Sequence, residues 1–143
     1  MDNTILKLGL FIVTLFTIDY LMTNNQKTYI SHSKINGKGL FASKGFKKGD
    51  IIIENLFKNK PKNEVLYNPI SYDNFQKYIT IEGKYINHCN KQINSKVVSK
   101  DNKLYKLIAT KNIQKDDEIT ANYNQINKMF PFIAKEEKGY VKC

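Results

Sequence analysis

A twelve-residue pattern occurs twice in this chain, and the repetition restricts the fold more than any other feature. Residues 42–53, A-S-K-G-F-K-K-G-D-I-I-I, align without gaps to residues 109–120, A-T-K-N-I-Q-K-D-D-E-I-T, with five of twelve positions identical. Each copy reads as a strand end, a polar turn, an apolar plug (Phe46 or Ile113), a second turn at Lys48-Gly49-Asp50 or Lys115-Asp116-Asp117, and a new strand. The expectation is one small hairpin device used twice. Turns in a Lys-rich chain also resemble one another by composition alone, and the sequence leaves that alternative open.

The rest of the chain agrees with a β-rich reading. Short β-branched and aromatic runs at 28–31, 50–54, 84–86, 94–98, 104–109 and 118–120 are expected to be strands. Two helices are expected: 71–79, with Tyr72, Phe75, Tyr78 and Ile79 at helical spacing behind Ser71, and 125–138, interrupted by Pro131. At 143 residues with 41% hydrophobic content, the chain can bury one domain-sized core.

Charge excludes less than it suggests. The net charge is +10, yet all 23 basic residues are Lys, and Lys, Asn and Ile together supply 58 positions, the bias of an AT-rich genome. Readers of bases and phosphates favour the bidentate guanidinium that is missing here, so sequence-specific nucleic-acid recognition is not expected. Two cysteines, Cys89 and Cys143, make neither a disulfide framework nor a four-ligand zinc site, so the core is expected to hold the domain.

The N-terminus is apolar from Ile5 to Met22. As a helix this run would be about 27 Å long, against a hydrocarbon core of roughly 30 Å. It suits an uncleaved membrane anchor, a helix packed on its own domain or a partner, or a signal-peptide core, although Thr23-Asn24-Asn25 is no small-residue cleavage site. If it spans, Lys27, Lys34 and Lys38 outweigh Lys7, which keeps the following domain on the cytosolic or nuclear side. The organisation expected is an N-terminal segment 1–22, a linker 23–27, a domain 28–124 and a C-terminal lid or tail 125–143.

Three constellations carry chemistry. Asn36-Gly37-Lys38-Gly39 allows a backbone turn that a ligand can approach closely, though no third Gly makes it a dinucleotide fingerprint. Asn87-His88 sets an amide beside an imidazole where a strand ends, followed by Cys89 and Asn94; a satisfied structural pair is the plainer reading of that segment alone. Asp117 to Tyr123 is a strand ending on a phenol, a neutral hydrogen-bonding group at physiological pH. No metal site is expected, because His32, His88, Cys89 and Cys143 lack ligand spacing.

In order, G-K-G-L-F-A, K-K-G-D-I-I-I-E, K-Y-I-N-H-C and A-T-K-N-I-Q-K-D-D-E-I-T-A-N-Y resemble a SET domain, the fold of many protein lysine methyltransferases, over residues 28–124. In size the chain is similar to the minimal viral SET proteins. The resemblance implies a mostly β fold with a few short helices, a β-clip of several small sheets with a knot-like C-terminal active site. It implies S-adenosylmethionine held by Gly37, Lys38, Gly39, Lys84, Asn87 and His88, with Tyr123 catalytic. Ala121, Tyr85 and Tyr105 are the residues expected at the substrate channel, and the small Ala121 implies a product beyond monomethyl-lysine. The partner implied is a protein with an exposed lysine, a histone tail being the family-level expectation; a homodimer is left open.

The chain departs from the family pattern in three places. Its N-H-C-N-K-Q-I-N segment has no Pro and its last Asn comes one residue late, which puts the role of Asn94 in doubt. Lys84 stands where Arg is common, and no cysteine cluster follows the domain, so Phe130, Phe132 and Tyr140 are left as lid or core. An inactive SET-like protein-binding module is the competing expectation.

Overall fold

The computed structural model describes residues 7, 13, 14, 26–57, 77–100 and 104–123. Seven strands and one short helix follow one another in these residues: β1 (Thr28–His32), β2 (Lys38–Ala42), β3 (Ile51–Ile53), α1 (Ile81–Lys84), β4 (Asn87–His88), β5 (Ser95–Lys100), β6 (Leu104–Ala109) and β7 (Glu118–Ala121). The strands are short because polar turns interrupt each apolar run. In β6 the alternation is regular: Tyr105, Leu107 and Ala109 face the core, and Leu104, Lys106 and Ile108 are more exposed. The mostly β expectation holds.

The ladder runs β1-β2-β7-β5-β6-β3, with β4 pairing β7 off that path. β2 runs antiparallel to both β1 and β7, and β6 runs antiparallel to both β5 and β3. Between these two groups β7 pairs in parallel with both β4 and β5. A strand of four residues thus joins the sheets. Leu40, Ile52, Leu56, Phe57, Tyr105, Leu107, Ile113 and Ile119 are among the members of the buried core, and Phe57 meets Tyr105 edge-on at 5.3 Å.

The repeat is real in three dimensions, and its copies clasp each other about a local two-fold. Phe46 and Ile113 exchange backbone hydrogen bonds of 2.8 and 2.9 Å. The Gly49 amide donates to the Ala109 carbonyl and the Asp116 amide to the Ala42 carbonyl, at 2.9 and 2.8 Å. Ala109 in turn donates to Asp50, and Ala42 to Asp117. Asp50 and Asp117 each accept, through one carboxylate oxygen at 2.8 Å, the amide three residues earlier, Lys47 or Gln114. Gly49 (φ 94°) and Asp116 (φ 69°) occupy the same left-handed position in the two copies. Composition alone does not produce such reciprocal bonding.

Three readings of the sequence change. The segment expected as a strand at 84–86 is instead the end of α1 and a turn. The Thr80 hydroxyl accepts the Gly83 amide as an N-cap, and the strand that follows is Asn87–His88. β2 was hidden by its glycine: Gly39 lowers strand propensity, but pairing with β1 on one side and β7 on the other overrides it. Of the helix expected at 71–79, residues 77 and 78 are helical, and Ile79 forms a bridge with Phe57; the remainder, and the segment 125–138, lie outside the described residues. So does the run 5–22 apart from Lys7, Val13 and Thr14, and among the described residues no helix is long and apolar enough to cross a membrane.

Candidate active site

Parallel pairing of β4 with β7 sets Asn87 opposite Thr120 and His88 opposite Ala121. The strand carrying the Asn-His pair therefore lies beside the one that ends towards Tyr123, and the Cys89 amide continues the pairing by donating to the Ala121 carbonyl. Tyr123 is held twice by this neighbour. Its amide donates to His88 Nδ1 at 3.0 Å, and its hydroxyl donates to the Ile86 carbonyl at 2.7 Å. The two rings are tilted at 37° with centroids 5.1 Å apart. Because Nδ1 accepts a hydrogen bond, a neutral His88 carries its proton on Nε2.

Asn87 reaches the glycine turn. Its Nδ2 donates to the carbonyls of Asn36 and Lys38, both at 3.2 Å, and to Glu118 Oε1 at 2.8 Å. A buried amide with three acceptors fixes the loop between β1 and β2 against β4. Gly37 adopts φ 49°, and a Cβ there would meet nothing within 4 Å, so the turn needs glycine for its backbone angle and leaves open space beside it. Ser33 closes the loop: its amide donates to the Gly37 carbonyl, and its hydroxyl accepts from the amides of Ile35 and Asn36.

Asn94, whose role the sequence left in doubt, is a staple of β7. Its Nδ2 donates to the Glu118 carbonyl (2.7 Å) and its Oδ1 accepts the Thr120 amide (2.8 Å). Thr120 adds a hydroxyl bond to the Gln92 carbonyl, and Ser95 donates to the Thr120 carbonyl. Cys89 is buried and accepts the Gln92 amide at Sγ.

The structure thus brings Gly37, Lys38, Gly39, Asn87, His88 and Tyr123 into one connected region. Others do not join it. Lys84 is exposed at the last turn of α1. Tyr105 is a core residue whose burial pushes its phenol above the ordinary range, with the Ser99 side chain opposing the shift. Ala121 is fully buried in the same core, and Tyr85 is half-buried against it. Sequence reasoning missed Ser33 and Glu118, since nothing in a serine after a strand or a Glu beside an Asp marks a link across 85 residues. Among the described residues no group of three His, Cys, Asp or Glu side chains is arranged to hold a metal ion.

The sequence matches the SET domain family over residues 37–124, more than half of the chain. The chain belongs to the SET-domain family. Among solved structures it is similar to a candidate histone methyltransferase of Plasmodium falciparum (28% identity, 69% of this chain and 94% of that one, TM-score 0.45). It is also similar to a humanized mutant of the Chaetomium thermophilum Polycomb Repressive Complex 2 bound to an inhibitor (22% identity, 73% and 15% of the two chains, TM-score 0.49). A third similarity is to such a complex in an autoinhibited conformation bound to S-adenosylmethionine (21%, 74% and 16%, TM-score 0.48). The chain spans about a sixth of those last two chains. No curated protein matches it.

Proposed function

We propose that this chain transfers a methyl group from S-adenosylmethionine to the ε-amine of a lysine in a protein substrate. The observation that carries the reading is the link from the Gly37 turn through Asn87 and its neighbour His88 to Tyr123, in a chain of the SET-domain family. The donor set fits such a cofactor. The turn at Gly37 is unobstructed, and the Asn87 amide holds its carbonyls so that the backbone of Gly37, Lys38 and Gly39 stays presented. Gly37, Lys38, Gly39, Asn87 and His88 would hold the cofactor, which supplies an electrophilic sulfonium methyl when bound.

The work left to the chain is alignment. Because the Tyr123 hydroxyl spends its proton on the Ile86 carbonyl, its oxygen can act towards a substrate only as an acceptor. It accepts an N–H of the lysine amine and points the nitrogen lone pair along the line of transfer. The Ile86 carbonyl keeps a second lone pair for the same purpose. Fixing two reactants in this way supplies much of the rate gain in a transfer that needs little covalent help. Of the three side chains expected along the lysine channel, Tyr85 is favoured, being half-buried beside Ile86, whereas Ala121 and Tyr105 are packed in the core. The substrate class is a lysine-bearing protein, with histone tails the first to test.

Calorimetric titration of the full chain with S-adenosylmethionine, followed by transfer of labelled methyl to histones and whole-cell protein, tests the reading. Saturable binding and labelled lysine are expected. A chain that binds no cofactor under conditions where it is folded overturns it.

A further inference from the structure

The second glycine of the turn has a neighbour that the cofactor reading does not use. A Cβ built on Gly39 would collide with the Glu118 carboxylate and stand 3.1 Å from the Ser33 Cβ. Such a collision is cheap when the obstructing group can swing away. Here it cannot do so freely: Ser33 Oγ donates to both carboxylate oxygens, at 2.7 and 2.9 Å, and Asn87 Nδ2 donates to Oε1. Glu118 leaves β7 for the space that a side chain at 39 would fill, and it is the shared acceptor for the residue that closes the turn and the one that braces it.

We infer that Glu118 is a positioning residue of the cofactor site, acting through Ser33 and Asn87 to hold the backbone of residues 33–39, and that Gly39 is glycine to admit its carboxylate. The inference rests on the proposed cofactor reading for its consequence, but its coupling exists in the protein alone. A carboxylate only accepts hydrogen bonds, so it suits a position facing a hydroxyl and an amide NH2. Charge-assisted bonds of this kind are stronger than neutral ones, and deleting the acceptor leaves the two donors without it. The turn would then be held by Ser33 backbone contacts and by Asn87 bonds to two carbonyls, with a left-handed pivot at Gly37 free to readjust. A ligand binding such a turn has to order it first, which lowers affinity without altering the alignment once bound.

The test uses the full chain and the variants Glu118→Ala, Glu118→Gln, Gly39→Ala and the Gly39→Ala/Glu118→Ala pair. Amide hydrogen exchange across 33–39 is followed without cofactor, and S-adenosylmethionine affinity and steady-state kcat and KM are measured with it. Glu118→Ala is expected to speed exchange in 33–39 while the β5–β6 pair stays protected. It should weaken cofactor affinity about tenfold or more, and raise the cofactor KM by more than it lowers kcat. Glu118→Gln should recover most of both, since its carbonyl still accepts from Ser33 and Asn87. Gly39→Ala should be harmful alone and add little in the Glu118→Ala background. Unchanged exchange and affinity in Glu118→Ala, additive effects in the pair, or equal loss of protection throughout the sheet in both Glu118 variants would each overturn the inference. A wild type that binds no cofactor defeats the proposed function instead, and the exchange arm still decides whether Glu118 holds the turn.

Discussion

The two copies of the hairpin device share a backbone and divide the labour. The first runs from β2 through Phe46 and the Asp50 turn into β3, an Ile-Ile-Ile strand at the end of the ladder whose neighbours are core. The second runs from β6 through Ile113 and the Asp117 turn into β7, which touches β2, β4 and β5 and carries Glu118, Thr120 and the approach to Tyr123. Three residues past each copy stand Leu56, buried, and Tyr123, hydrogen-bonded to His88 and Ile86. Identical corners therefore say nothing about function. What differs is which strands lie beside the one each corner delivers.

The comparison is broken most severely at those two end residues. Tyr123→Phe is expected to lower methyl transfer by about two to three orders of magnitude with cofactor affinity largely kept, because the hydroxyl acts on the transition state. Leu56→Ala at the equivalent place should cost about 2–5 kcal/mol of stability, with kcat unchanged below its melting transition. Single-turnover assays beside thermal melts separate the two, and a slow but fully stable Leu56→Ala would erase the division.

The aspartates give a smaller effect. Asp50→Ala and Asp117→Ala each remove the acceptor of one turn amide and should cost about 1 kcal/mol in urea unfolding. Only Asp117→Ala should also weaken S-adenosylmethionine binding, since its turn sets the start of β7. Equal affinities for the two variants would show that the corner and the site are uncoupled.

The left-handed positions respond unequally. Gly49→Ala imposes a side chain at φ 94° and should destabilise by about 1–2 kcal/mol. At Asp116 a side chain already tolerates φ 69° and accepts the Tyr29 hydroxyl at 2.9 Å, so Asp116→Gly should stay within about 0.5 kcal/mol of wild type. Urea midpoints read both.

The smallest effect is a pH dependence. The hydrogen bond to Asp116 holds the Tyr29 phenol above its ordinary value, helped by desolvation and by the carboxylate charge. The folded chain keeps a proton that the unfolded chain releases above pH about 10, so this link is intact below that pH and is lost as pH rises through the folded value. Tyr29→Phe should flatten the alkaline limb of the stability profile slightly, and an unchanged limb would remove the link from the account.

Much of this was legible without a structure. The repeat, the strand at 104–109 and the four family motifs follow from side-chain period, turn residues and order along the chain, which are local properties. The reading failed where the deciding contact is distant. Lys84-Tyr85-Ile86 looks like a strand by composition, but Thr80 caps a helix across it. Tyr105 looks available by type, yet the β5–β6–β3 sheet buries it against Phe57. Asn94 was ambiguous because its partners are the backbone of a strand that begins 24 residues later. By itself the sequence determined the family and the doubled corner. The tertiary structure alone decided that Glu118 stands where a side chain at Gly39 would be and that Tyr123 faces the Ile86 carbonyl, because hydrogen bonds depend on distances that chain order does not encode.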